Sequence, residues 1–100
     1  MAVEVQIDCR GVTLSQYDQA VEIGGFLPGG PLPPDGLFHY VKKIDDGIRV
    51  INVWESEEEF GEFAVNRMAP LLEEIGVPAS AIDIQITEIH NYLAGSRFVR

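Results

Sequence analysis

Few side chains in this 100-residue chain are able to do chemistry. Histidine titrates near neutral pH, so His39 and His90 are the candidate general acids or bases. The competing reading, and the default for each, is a strand histidine bonded to its neighbours. Asn52 and Trp54 stand two positions apart, and in a strand that spacing puts both on one face. A large ring beside an amide makes a cradle for a planar aromatic ligand, with core packing as the competing use of Trp54. Tyr17 and Phe63, inward on their helices, would complete the lining. His39 and His90 are thus the catalytic candidates. Asn52, Trp54, Tyr17 and Phe63 are the substrate-binding candidates.

Other chemistries find no footing. Neither histidine has a second ligand at metal spacing, there is no Cys-x-x-Cys pair, and a lone strand histidine is a poor haem ligand. No metal and no cofactor are expected. Cys9 has no histidine near it in sequence and no second cysteine to resolve a sulfenate, so it reads as a small buried hydrophobe. Gly-x-Ser-x-Gly, a phosphate loop and a dinucleotide fingerprint are absent. Arg67 could meet an anionic ligand, but a solvated or salt-bridged side chain is its default.

The formal net charge of -9 repels phosphate backbones and anionic bilayers, so neither nucleic acid nor membrane is an expected partner. Its plainer meaning is solubility. A single cysteine forbids an internal disulfide and fits a cytoplasmic protein. The first residues, Met-Ala-Val-Glu-Val, lack a basic region followed by an apolar run, and no apolar stretch approaches membrane-spanning length. The length suits one domain, residues 1-100.

The elements that must position these side chains follow from periodicity. Val3 to Ile7 alternates apolar and polar, as a half-buried strand does. Thr13 and Gln16 form a capping box for a helix presenting Leu14, Tyr17 and Val21 on one face, and Gly24-Gly25 ends it. Gly25 to Gly36 is too rich in proline and glycine for a regular element, so a mobile loop bordering the pocket is expected, with a plain hydrophobic connector as the alternative. Leu37 to Ile44 and Ile48 to Glu55 are strands joined at Asp45-Asp46-Gly47. Ser56 and Glu59 open a second helix carrying Phe60, Phe63, Ala64, Met68, Leu71, Leu72 and Ile75, with a bend or restart at Pro70. Ile82 to about Tyr92 alternates as a last strand, placing His90 in phase with Ile84, Ile86 and Glu88.

The hairpin register decides what meets Trp54. A loop of Asp46-Gly47 sets His39 opposite Trp54, whereas a loop that also takes in Asp45 sets Phe38 there, and such a slip exchanges the faces. The first register is preferred because it groups the polar candidates.

The order βαββαβ makes an α+β, ferredoxin-like fold, an antiparallel sheet with both helices on one face. The other face would carry large apolar residues, Phe38, Tyr40, Ile51 and Val53, and so implies a partner; a two-fold homodimer packed sheet to sheet is the economical answer. The run Gly36-Leu-Phe-His-Tyr, then Asp46-Gly47, then Val50-Ile-Asn-Val-Trp-Glu-Ser56 leading to Glu59-Phe60 and Phe63, resembles the dimeric α+β barrel superfamily. Within it the chain is similar to small proteins akin to the antibiotic biosynthesis monooxygenases, over about residues 3 to 92. The resemblance implies pairing into a dimeric α+β barrel and cofactor-independent oxidation of a small aromatic or polyketide-like compound. The substrate would supply the electrons for oxygen, and the protein would deprotonate it and exclude water. His39 or His90 would be the base, Asn52 a hydrogen-bond donor and Trp54 a wall. In a barrel dimer the last strand can reach the partner's sheet, so the two histidines could approach across the interface. The alternative is a non-catalytic module of the same fold that binds a small ligand or serves as a dimeric scaffold.

Overall fold

The computed structural model describes residues 1–26 and 36–93. The element order is β1 (Val3–Arg10), α1 (Leu14–Ile23), β2 (Gly36–Ile44), β3 (Gly47–Trp54), α2 (Glu57–Phe63), a π-helical turn (Ala64–Met68), α3 (Ala69–Glu74), a short 3-10 turn (Ala79–Ala81) and β4 (Ile82–Glu88). The strands form one antiparallel sheet in the order β2-β3-β1-β4, the arrangement expected of βαββαβ. Most of the expected Gly25 to Gly36 loop, residues 27–35, lies outside the described residues. Among the described residues no helix is long and apolar enough to cross a membrane.

Alternation in β1 and β3 builds the core. Val3, Val5, Ile7 and Cys9 point to one face and meet Trp54, Asn52, Val50 and Ile48 across the β1–β3 ladder. Val12, Phe60 and Val77 close over them, with Tyr17, Phe63, Met68, Leu72 and Ile75 packed on the rim. The opposite face is divided. Phe38, Tyr40, Ile51 and Val53 occupy its β2–β3 half, while Glu4, Gln6, Asp83, Gln85 and Thr87 occupy much of its β1–β4 half.

Local chemistry sets the ends of the elements. Thr13 caps α1 in a reciprocal capping box with Gln16. The helix ends with Gly25 at φ 79, while Phe26 N–H returns to Val21 O and Gly25 N–H to Glu22 O. That left-handed turn satisfies two orphan carbonyls and is cheap only without a Cβ. At Gly47 the constraint is space: a Cβ there would lie 2.0 Å from the Cys9 carbonyl oxygen. Ser56 Oγ accepts from the Glu59 N–H at 3.2 Å at the start of α2.

From α2 to α3 the chain is one continuous rod. Pro70 lacks an N–H, and its ring would strike the Asn66 carbonyl in a regular α-helix. The expected bend or restart takes the form of a widened turn in which Ala69 N–H bonds back to Ala64 O, leaving Pro70 in the first turn of α3.

On the polar half of the face opposite the helices Asp8 accepts from Arg49 Nε at 2.7 Å and Nη2 at 3.0 Å. This paired hydrogen bond holds the Asp8 carboxyl below its ordinary value against a smaller upward push from burial. A carboxylate depressed in the folded state stabilises it above the unfolded pKa, and the contribution fades as pH falls through the folded value. Asp8→Asn should therefore lower the urea midpoint at about pH 7 and converge on the parent protein only as pH falls below the depressed Asp8 value. A deficit that persists undiminished in acid would point to lost packing instead of lost charge.

Candidate functional site

Among the described residues Asn52 is the only buried polar side chain, 6% exposed. A buried amide needs partners, and β2 supplies one. His39 stands directly across the ladder from Asn52, and its Nδ1 lies 2.9 Å from Asn52 Oδ1. The other ring nitrogen, Nε2, is 2.5 Å from the hydroxyl of Tyr17, which α1 brings over the sheet. The Tyr17 and His39 rings lie nearly parallel, 17° apart with centroids at 5.9 Å. Three candidates far apart in sequence thus form one hydrogen-bonded relay, Tyr17–His39–Asn52. Burial pushes the Tyr17 phenol above its ordinary pKa, and the charge of Asp18 adds to this.

The register that produces this contact is neither of the two expected. Ile44 pairs with Gly47 around an Asp45-Asp46 turn, so His39 meets Asn52 and not Trp54. The displacement from the preferred register is two residues, which preserves the face. His39, Asn52 and Trp54 do share the helix side. A bulge at Leu37 then adjusts the ladder, so that Gly36 pairs with Trp54.

Trp54 and Phe63 lie beside the relay as packed core. Trp54 is 3% exposed, meets Phe60 edge-on at 5.9 Å and lies 5.1 Å from the Phe63 ring. Its Nε1 is buried without a hydrogen-bond partner among the described residues, and a donor left unpaired costs about 1–3 kcal/mol.

His90 is not part of this group. The last strand is shorter than expected: β1 begins at Val3, which pairs with Glu88, and the final bond is Ile89 N–H to Ala2 O. Among the described residues no strand continues beside it there, and His90 lies in an exposed bend and not in a strand.

Arg67 carries a role its sequence surroundings did not reveal. From the π turn its Nη2 donates to Gly24 O at 3.2 Å and its guanidinium covers the Phe26 ring at 5.0 Å. It thereby ties the rod to the end of α1, the element that holds Tyr17. Two grooves among the described residues lie away from the relay. One, about 450 Å³, runs between Gly11–Leu14 and Lys43–Ile48, and the other runs along the outer face of α2 at Glu58, Glu62 and Asn66. No three His, Cys, Asp or Glu side chains converge as metal ligands among the described residues.

Cys9 sits in the core, and burial raises its thiol pKa, with a further push from the Asp8 charge. It should therefore resist a thiol-specific reagent in the native protein and react fully in denaturant. Rapid native labelling would contradict the packing around β1.

Compared with known protein families and with curated proteins, the chain matches none.

Proposed function

We propose that this protein abstracts a proton from a small aromatic or polyketide-like compound as the first step of cofactor-independent oxygenation. The observation that carries this reading is the Tyr17–His39–Asn52 relay, an imidazole oriented by a buried amide and linked to a phenol. An oriented imidazole of this kind is a general base, and the phenol conducts its action outward. In the overall reaction a substrate methylene gives up its two hydrogens, one oxygen atom becomes its carbonyl oxygen, and the other leaves as water. Oxygen uptake over a panel of hydroxyaromatic compounds tests the proposal; none across the panel would sink it.

The working unit in this reading is a homodimer of the dimeric α+β barrel type, in a cytoplasmic setting suggested by the lone cysteine. Its support is the apolar surface that Tyr40, 42% exposed, and the half-buried Val53 present on the face opposite the helices, which a two-fold axis would oppose to its own copy. Burial is worth roughly 25 cal/mol per Å² of apolar area before association costs. Val53→Glu should convert the assembly to monomer in light scattering at micromolar concentration. An unchanged mass would show that the pairing uses another surface.

A second reading is a non-catalytic ligand-binding or scaffold module. It draws on the dense packing of Trp54 and on the fact that both His39 ring nitrogens already have partners within the chain. Saturable binding of a hydroxyaromatic compound without oxygen uptake would favour it.

A further inference from the structure

The helix layer stops short of β4. On the side facing the helices, Ile84 and Ile86 stand directly across the ladder from Ile7 and Val5. Ile7 and Val5 are buried, 4% and 0% exposed, whereas Ile84 and Ile86 are 40% and 38% exposed. The margin of the core therefore runs between two neighbouring strands, and every residue from Asp83 to Glu88 is exposed. β4 is also an edge of the sheet, and among the described residues no strand takes up the main-chain groups on its outer side. Proteins commonly blunt such an edge with a proline, a lysine or a bulge. β4 has none of these: it reads Ile-Asp-Ile-Gln-Ile-Thr-Glu and pairs with β1 in unbroken register.

Charge narrows what can add to this edge. β4 carries two carboxylates, Asp83 and Glu88, and no base. Glu4 stands across from Thr87 on the Asp83 face and adds a third. Arg10, at the Ile82 end, is committed to the Ser80 carbonyl. The opposite edge strand, β2, carries Lys42 and Lys43 instead. A second copy of β4 would bring further carboxylates and no base to meet them.

We propose that β4 is a docking edge for an extended peptide of alternating apolar and basic residues, which adds to the sheet as a further strand. Successive side chains of an added strand fall on opposite faces. The apolar ones lie beside Ile84 and Ile86, and the basic ones share the face of Asp83 and Glu4. This surface is separate from the Tyr17–His39–Asn52 relay and does not depend on the oxygenation reading.

The probe is a seven-residue peptide of alternating valine and lysine with blocked ends, titrated calorimetrically against the full chain. Amide hydrogen exchange should slow along β4 and stay unchanged along β2. The same peptide with glutamate for lysine should bind about tenfold more weakly or worse. A fully N-methylated version keeps the charge but has no N–H to donate, and should also lose about tenfold or more, the scale of the main-chain bonds removed. Asp83→Lys combined with Glu88→Lys, both at exposed positions, should erase the preference for lysine over glutamate. If that variant does not fold, the peptide series and the exchange map decide. No binding by the parent chain, equal binding of the N-methylated peptide, or protection along β2 in place of β4 would overturn the proposal. So would self-association abolished by Ile84→Lys in light scattering, because the edge would then be filled by a second copy.

Discussion

Trp54→Ala is expected to cost about 3–5 kcal/mol of stability. The side chain is 3% exposed, sits at the end of β3 and is the shared neighbour of the Phe60 and Phe63 rings. Truncation removes both ring contacts and leaves a cavity between sheet and α2 that stiff aromatic neighbours fill poorly. For a domain of this size each kcal/mol shifts Tm by about 4–8 °C, so a fall of well over ~10 °C should appear in a thermal melt. Trp54→Phe separates the contributions. It keeps a ring against Phe60 and Phe63 and deletes the buried Nε1–H that has no partner among the described residues, so it should cost far less than alanine. Equal losses for the two variants would show that the indole edge, and not the aromatic packing, holds this end of the core.

Tyr17→Phe and His39→Ala should each lower turnover of a hydroxyaromatic substrate by about a hundred- to ten-thousandfold, the range of one acid–base group. The two residues act in series through the 2.5 Å contact, so the double variant should be little worse than either single one. Stability should respond differently. His39→Ala strands Asn52, the buried amide, whereas Tyr17→Phe keeps its ring in place and leaves the His39–Asn52 bond untouched. Oxygen uptake, read beside a thermal melt, checks both effects. If His39→Ala retains ligand binding and only lowers Tm by several degrees, His39 is structural and the relay is a core network.

The sequence carries the element order, because alternation and helical spacing survive without tertiary context, and the Thr13 and Gly25 signals place the ends of α1. It carries the face shared by Asn52 and Trp54, since that follows from strand geometry alone. The pairing of His39 with Asn52 is out of its reach, because nothing local separates registers two residues apart when both keep the same face inward. Tyr17 meeting His39 depends on where α1 lies across the sheet, a matter of packing that helix periodicity does not encode. The place of His90 is decided in another strand: β4 ends where β1 begins. The π turn, by contrast, leaves a mark in the spacing. Phe60, Ala64, Met68 and Leu72 recur every fourth residue. At 100° per residue that spacing drifts by about 40° a step, about 120° over three steps. A stripe drifting that far cannot stay on the sheet unless one turn is wider, and the π turn supplies it.

The wide turn at Ala64–Met68 holds one residue more than an α-helix needs for its stripe to stay in line. Helix length is therefore negotiable by one at this place. If Val65, whose side chain is 72% exposed, were excised and Pro70 exchanged for a residue with an N–H, the rod could close as a plain α-helix. Met68, Leu72 and Ile75 would still face the sheet. Within α2 or α3, where hydrogen bonds already run at α-helical spacing, loss of one residue would swing every later side chain by about 100° and empty the core beneath it. An insertion absorbed without turning the later side chains off the sheet has one natural home in this rod, and it is the turn just before Pro70.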